Sequence, residues 1–170
     1  MQKRVNEVTM RGTPVTLLGP KMKVGDLAPD FVVQDASMNE VKLSDFTGKV
    51  RIINAVPSID TSVCSAQVHH FNVAAANLKD TIIFSISVDL PFALRRYCAA
   101  EGIDEVKVTS DHKDLDFGLK YGVVIAEKRL LTRAVFVIDQ QGKIAYLEYV
   151  KEVSNEPDYD KVLTAVKTLV

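Results

Sequence analysis

Cysteine is scarce in this chain of 170 residues, which contains two cysteines and no tryptophan. Two thiols cannot build a zinc site by themselves, and the adjacent His69 and His70 would point about 100° apart on a helix. His112 is distant in sequence, so we predict no metal and no cofactor. In a reducing compartment two cysteines are expected to be catalytic, redox-active or inert rather than a structural disulfide framework.

The chain also has no large excess of positive or negative charge. The formal net charge is −1, and the longest basic features are the pairs Arg95-Arg96 and Lys128-Arg129. Surfaces that bind nucleic acid or anionic membranes usually carry a concentrated Lys/Arg face, so neither partner is expected. No apolar run approaches the length of a transmembrane helix, and the N-terminus M-Q-K-R-V-N-E-V lacks the apolar region of a signal peptide. These absences predict a cytoplasmic protein.

The chain does contain an alternation of strand and helix patterns. The apolar, β-branched runs V-R-I-I-N-A-V (50–56) and T-I-I-F-S-I-S-V (81–88) are typical of buried parallel strands. The segment between them has one apolar face at helical spacing, formed by Val68, Phe71, Ala75 and Leu78. Strand, helix and strand of this length predict a right-handed βαβ unit.

The remaining elements complete an α/β fold. A second helix is predicted between Pro91 and Gly102, and the runs 133–139 and 143–150 flank Q-Q-G as a hairpin. Another hairpin precedes the main fold, within an N-terminal extension of residues 1–20. The sequence therefore predicts a mixed sheet with helices on both faces, in one domain of residues 1–170 that begins with this hairpin.

Cys64 lies where a strand gives way to a helix. Pro57 ends the strand because it cannot donate the next ladder hydrogen bond, and Asp60, Thr61 and Ser62 are all suitable N-caps. Whichever residue caps the helix, Cys64 falls in its first turn, at the carboxyl end of a central strand, where sites of α/β sheets are usually found. The free N–H groups and partial positive charge of a helix N-terminus favour a thiolate over a thiol.

Two further side chains are candidates for this site. The Thr61 hydroxyl is placed to bond the sulfur or a substrate oxygen, and Arg133, at the start of 133–139, is the best candidate for a nearby cation. Each also has a simpler interpretation. A cysteine beside an apolar helix face is most often a small buried hydrophobe, Thr61 can serve only as a cap, and Arg133 can form a surface ion pair. The pattern alone indicates a thiolate nucleophile and does not name its electrophile.

The segment P-S-I-D-T-S-V-C (57–64) contains P-x-x-x-T-x-x-C and resembles the active-site signature of the peroxiredoxins. Its S-I-D insert is similar to that of the bacterial thiol peroxidase branch, the atypical two-cysteine branch of the family. V-G-D-L-A-P-D-F (24–31) resembles the segment that opens the peroxiredoxin domain, and L-T-R-A-V-F-V-I-D-Q-Q-G-K-I (131–144) resembles the strand that bears the family's arginine. Ser62 stands where this branch commonly has proline, and serine is an equally competent cap.

The resemblance implies a thioredoxin-like fold and a peroxidase that reduces hydrogen peroxide and organic hydroperoxides. Carried over by position, Cys64 is the peroxidatic cysteine. Pro57 shields its sulfur, while Thr61 and Arg133 hold the sulfur and the peroxide oxygens. Cys98 takes the place of the resolving cysteine, which forms an intrachain disulfide with the oxidised Cys64. The resemblance also implies thioredoxin as the reductant.

The family suggests a homodimer as well, for which Phe92 and Ile125 are expected contacts. A Cys64–Cys98 disulfide needs Cα atoms within roughly 7 Å, a distance that two packed helices normally exceed. We therefore expect the first turn around Cys64 and part of 92–101 to unravel during turnover. The simpler interpretation of Cys98 is helix packing beside Leu94 and Tyr97.

Three other functions compete with this interpretation. A thioredoxin-like disulfide reductase or isomerase needs C-x-x-C, which is absent, and a proline where this chain has Leu131-Thr132-Arg133. A redox sensor that passes its disulfide to a partner protein shares the first chemical step, so the residues alone do not separate it from an enzyme. A catalytically silent interaction module is disfavoured because the set of Pro57, Thr61, Cys64 and Arg133 is intact.

Overall fold

The computed structural model describes residues 1–170, which form two β-sheets and four α-helices. The larger sheet has seven strands: β3 (Val32–Gln34), β4 (Glu40–Lys42), β5 (Val50–Ala55), β6 (Thr81–Ser87), β7 (Lys107–Ser110), β10 (Ala134–Ile138) and β11 (Ile144–Tyr149). The smaller sheet has four: β1 (Lys3–Met10), β2 (Thr13–Leu18), β8 (Val124–Ile125) and β9 (Leu130–Leu131). The helices are α1 (Ser62–Ala75), α2 (Pro91–Glu101), α3 (Asp116–Lys120) and α4 (Tyr159–Lys167), with a 3-10 turn at Leu43–Phe46.

The seven strands lie in the order β11-β10-β5-β6-β7-β3-β4. Strands β5, β6 and β7 are parallel, whereas β10 pairs antiparallel with both β5 and β11. The predicted βαβ unit, the second helix and the 133–150 hairpin are therefore confirmed, as is a mixed sheet flanked by helices. Strand β5 occupies the middle of the sheet, and every one of its residues is buried.

Each face of this sheet packs against its own hydrophobic cluster. Helices α1, α2 and α4 cover one face, where Phe71, Leu94 and Val162 pack on strand residues such as Ile52 and Val137. Helix α3 and the 3-10 turn lie on the opposite face, where the cluster is rich in aromatic rings: Phe31, Phe84, Phe117, Tyr121 and Phe136. Because α1 and α2 share one face, the two cysteine-bearing helices are neighbours.

Local signals in the sequence set the ends of α2. Pro91 occupies its first turn, where the missing N–H costs no intrahelical hydrogen bond. Gly102 follows its last residue with φ +65°, the left-handed conformation that glycine adopts without a Cβ clash, and its N–H bonds the Cys98 carbonyl. The predicted bounds of this helix are confirmed. No helix in the molecule has both the length and the apolar composition that crossing a membrane requires.

The N-terminal hairpin is part of a sheet rather than a free appendage. Strand β2 pairs with β8, and the buried Arg4 guanidinium donates to the carbonyls of Gly19, Pro20 and Gly122. Gly122 has φ +67°, and a Cβ there would collide with the Pro20 carbonyl oxygen. The hairpin itself was predicted, but β8 and β9 were not, because two-residue strands leave no periodic pattern.

The position of Ile125 corrects one prediction. Its side chain is completely buried in β8, where it packs against Val8, Val15 and Leu17 beneath the hairpin. A buried residue cannot contact a partner subunit, so the expectation that Ile125 is a dimer contact was wrong. Phe92 in α2 remains 64% exposed.

Candidate active site

The N-terminus of α1 brings Thr61 and Cys64 together. Thr61 is the N-cap, and its Oγ1 accepts a hydrogen bond of 3.2 Å from the Cys64 N–H. Of the three caps that the sequence allows, Thr61 is thus the one used, and Cys64 lies in the first turn as predicted. Because the oxygen accepts from the backbone, the hydroxyl hydrogen is left to donate to the sulfur or to a bound ligand.

Arg133 is the residue immediately before β10, and its side chain faces Cys64. Its Nη2 donates to the Cys64 Sγ at 3.3 Å, and both residues are buried. The other donors of the guanidinium reach the Val153 carbonyl at 2.8 Å from Nε and the Gln67 Oε1 at 2.6 Å from Nη1. These oxygens are neutral, so no carboxylate neutralises the charge that Arg133 presents to the sulfur. A cation in this position favours the thiolate form of cysteine.

Gln67 and Asn54 form a buried support for Arg133 that the sequence analysis missed. The Gln67 amide accepts from Arg133 and donates to the Asn54 Oδ1, and Asn54 in turn donates to the Ser85 Oγ at 3.3 Å. This chain of hydrogen bonds runs from α1 through β5 to β6 and fixes the orientation of the guanidinium. Two signals were available: Gln67 lies three residues after Cys64 on one helix face, and Asn54 interrupts an apolar strand.

Asp89 was also missed, and it anchors the loop that leads to Cys64. Its carboxylate accepts hydrogen bonds from the Ser58 hydroxyl at 2.8 Å, the Ile59 N–H at 2.9 Å and the Ser87 hydroxyl at 2.7 Å. Asp89 stands between β6 and α2, so the loop after Pro57 is tied to the chain that enters the second cysteine-bearing helix.

A cavity of about 140 Å³ opens beside these groups. Its lining combines the predicted site residues with apolar and hairpin residues: Pro57, Thr61, Arg133, Val63, Val153, Ser154, Met10 and Arg11. The Cys64 side chain lies fully buried behind this wall. Arg133 connects the two, because it lines the cavity and also donates to the Cys64 Sγ. The structure thus brings four predicted site residues together, Cys64 included.

Cys98, the fifth predicted site residue, is not part of this cluster. It lies in α2, is half-buried and free, and lines a different cavity with Asp35, Ser37 and Lys107. Burial raises the pKa of the Cys98 thiol above its ordinary value. At neutral pH Cys98 is thus a protonated, weakly nucleophilic thiol while it remains in this position.

Comparison with known proteins connects this geometry with a family. The Redoxin family matches residues 23–163. A thiol peroxidase of Oceanobacillus iheyensis is 56% identical over 160 residues, which cover 94% of this chain and 98% of that relative. A thiol peroxidase of Bacillus subtilis is 54% identical over 164 residues, with coverage of 96% and 98%.

The chain belongs to the Redoxin family. Among solved structures, a peroxiredoxin-like protein from Aquifex aeolicus superposes with a TM-score of 0.92 and 41% identity over the whole of both chains. A thiol peroxidase from Chromobacterium violaceum gives 0.86 at 19% identity, over 95% of each chain, which shows a shared fold. The predicted resemblance to bacterial thiol peroxidases, the thioredoxin-like fold and the enzyme class, a thiol-dependent peroxidase, are confirmed.

The redoxin match begins after the hairpin, yet the hairpin contributes to the cavity through Met10 and Arg11. Glu152, which follows β11, holds the hairpin in place. Its carboxylate accepts from the Thr9 hydroxyl at 2.6 Å and from the backbone N–H groups of Arg11 and Gly12 at 3.0 and 3.1 Å. The Thr9 bond, followed by the Ser154 N–H, lowers the pKa of Glu152 to about 2 from its ordinary value of 4.5.

Replacing Glu152 with glutamine is expected to destabilise the protein in a pH-dependent way. Because the folded pKa is the lower one, the carboxylate stabilises the fold above about pH 4.5, and this contribution is lost as the pH falls toward 2. Glu152→Gln should lower the free energy of unfolding by about 1 kcal/mol at neutral pH, a modest value because solvent screens the site. Urea unfolding at several pH values measures this difference.

The matched control is Glu40→Gln in β4, an exposed glutamate whose carboxylate accepts no hydrogen bond. It should change the unfolding free energy by at most about 0.5 kcal/mol at any pH. A Glu152→Gln variant as stable as the wild type at neutral pH would show that this carboxylate does not hold the hairpin.

Proposed function

We propose that the chain reduces hydrogen peroxide and organic hydroperoxides through a thiolate on Cys64. The single observation that carries the proposal is the hydrogen bond from Arg133 Nη2 to the Cys64 Sγ, 3.3 Å long and fully buried, at the N-terminus of α1. A buried cation and a helix N-terminus both favour a charged sulfur, and a thiolate is the form of cysteine that attacks electrophiles. Membership in the Redoxin family supports peroxide as the electrophile.

The first step is a displacement at the O–O bond. The Cys64 thiolate attacks the terminal oxygen of ROOH, an S–O bond forms, and the O–O bond breaks. The leaving RO⁻ takes a proton from solvent and departs as water or an alcohol, while Cys64 is oxidised to a sulfenic acid. Arg133 and the Thr61 hydroxyl hydrogen stabilise the charge that develops on the leaving oxygen. Pro57 forms one wall of the entry cavity and shields the sulfur from bulk solvent.

The second step joins the two cysteines. The Cys98 sulfur attacks the Cys64 sulfur, an S–S bond forms, and the sulfenic oxygen leaves as water with the thiol proton. The two residues lie on different helices, and Cys98 lines a cavity that does not include Cys64. We therefore propose that the first turn of α1 and part of α2 unwind before this step. Unwinding also exposes Cys98 to solvent, which removes the burial that raises its pKa.

The proposal extends to the reductant, the oligomeric state and the cellular location. Thioredoxin reduces the disulfide and closes the cycle, and the protein works in the cytoplasm as a homodimer for which exposed Phe92 is a candidate contact. Neither nucleic acid nor a membrane is a partner. Residues 1–170 act as one domain, and the contacts of Arg4 and Glu152 support the inclusion of the hairpin 1–20 in it.

A peptide map made after one equivalent of peroxide tests the proposal. We expect a Cys64–Cys98 linkage within one chain, and peroxide-dependent oxidation of NADPH when thioredoxin and its reductase are present. A disulfide only between chains, or stable sulfinic acid on Cys64, would reject the role of Cys98. Formation of the intrachain disulfide without turnover by thioredoxin would identify a redox sensor instead of an enzyme.

A further inference from the structure

The two helices that bear the cysteines are joined by one part-buried hydrogen bond between side chains. The Ser65 Oγ in α1 and the Tyr97 hydroxyl in α2 lie 2.9 Å apart. Ser65 directly follows Cys64, and Tyr97 directly precedes Cys98. The only other hydrogen bond between side chains of these two helices joins His69 and Glu101, both of which are exposed by more than 40%, so it contributes little.

This hydrogen bond determines which helix faces meet. Adjacent residues on an α-helix point about 100° apart, so when Ser65 and Tyr97 face each other both cysteines are turned away from the contact. Their surroundings agree with this. The Cys64 sulfur is bonded to Arg133, while Cys98 lines a cavity that includes Asp35 and Lys107. While the Ser65–Tyr97 bond is present, the two sulfurs are therefore not aligned for a disulfide.

Tyr97 is well placed to hold this arrangement. Its ring packs in the cluster that also contains Phe71 and Leu94, and its hydroxyl bonds Ser65 in a part-buried position. Breaking this bond leaves a part-buried hydroxyl without its protein partner, which costs free energy and disfavours unwinding of the helices. Unwinding of the first turn of α1, which contains Ser65, must break this bond before the cysteines can meet.

We propose that the Ser65–Tyr97 hydrogen bond, here called the helix latch, limits the rate at which the Cys64 sulfenic acid is converted to the disulfide. This inference rests on the proposed function. A sulfenic acid has two fates. Cys98 displaces its oxygen as water, or a second ROOH transfers an oxygen to it, giving sulfinic acid and ROH. By slowing the first fate, the helix latch sets the peroxide concentration at which Cys64 is over-oxidised.

Tyr97→Phe tests the helix latch directly, because it removes the hydroxyl and keeps the ring that packs in the core. We expect disulfide formation, followed by rapid quenching with an alkylating agent and intact-mass analysis, to become about three- to tenfold faster. The peroxide concentration that converts half of Cys64 to sulfinic acid should rise by the same factor. The initial loss of the Cys64 thiol should stay within about twofold of wild type, since the first step does not use the latch.

Ser65→Ala should act in the same direction, and the double variant should match the single ones because all three lack the same bond. The control is Tyr146→Phe, which removes a tyrosine hydroxyl that bonds Glu148 within β11 and no group of either helix. Unchanged or slower disulfide formation in both folded latch variants would overturn the proposal. Failure of wild-type Cys64 to form a sulfenic acid would instead reject the proposed function, so the two failures are distinguishable.

Discussion

Arg133→Met is expected to lower kcat/KM for hydrogen peroxide by about a hundred- to a thousandfold. Methionine fills much of the same space, but it donates no hydrogen bond and carries no charge. Arg133 assists both the thiolate and the leaving oxygen. The expected loss is of the size found when one donor to a developing oxyanion is removed. Arg133→Lys should recover little of it, since the three N–H groups of an ammonium lie on one nitrogen and cannot replace donation from Nε, Nη1 and Nη2 to three separate acceptors.

A matched control exists for this substitution. Arg51 is also a buried arginine, 3% exposed, but it lies in β5 and donates to the Asp139 carbonyl, away from Cys64. Arg51→Met should destabilise the fold by a similar amount and leave the rate of Cys64 oxidation within about twofold of wild type. Stopped-flow assays well below each variant's Tm compare the two. Near-normal oxidation in Arg133→Met would contradict the role proposed for the guanidinium.

Cys98→Ser is expected to abolish thioredoxin-coupled turnover, with a loss on the order of a hundredfold or more, while the first oxidation of Cys64 keeps its wild-type rate. The serine hydroxyl cannot form a disulfide, so the sulfenic acid persists and is converted to sulfinic acid by excess peroxide. Intact-mass analysis should show one added oxygen after one equivalent of peroxide and two after an excess.

Cys64→Ser provides the complementary control, because it should remove the first oxidation altogether and leave Cys98 reduced at the same peroxide concentration. A Cys98→Ser variant that turns over with thioredoxin at the wild-type rate would show that thioredoxin reduces Cys64 directly. Cys98 would then be a packing residue of α2, the simpler interpretation that its sequence context also allows.

The parts of the fold that were predicted are those with long, uniform patterns. Strands β5 and β6 are apolar runs, and this composition predicts burial on both faces. Helix α2 has a proline at its start and a glycine directly after its end. Strands β8 and β9 have two residues each; β9 pairs with β8, and β8 pairs with strand β2 of the hairpin through contacts more than 100 residues apart in sequence. No local pattern encodes such contacts, which is why Ile125 was wrongly placed on the surface.

The candidate site also contains residues that the sequence predicts and residues that it does not. Thr61 and Cys64 lie within one helical turn, so capping rules alone place them together. Arg133 was selected by its place at the start of a strand, and the antiparallel pairing of β10 with β5 brings it to the sulfur. Gln67 and Asn54 were not singled out; the sequence places one of them a helical turn after Cys64 and the other inside an apolar strand, but it does not show which groups their amides bond. Their role in orienting Arg133 follows only from the packed structure.

The ultraviolet absorbance of the Cys64 thiolate at neutral pH tests the central claim most directly. It is obtained as the difference between Cys98→Ser and the variant that lacks both cysteines, so that only Cys64 contributes. We expect the absorbance of one thiolate per chain, and its loss in Arg133→Met. A Cys64 that absorbs as a neutral thiol at neutral pH, or a thiolate that persists unchanged without Arg133, would contradict the claim that this guanidinium holds the sulfur as an anion.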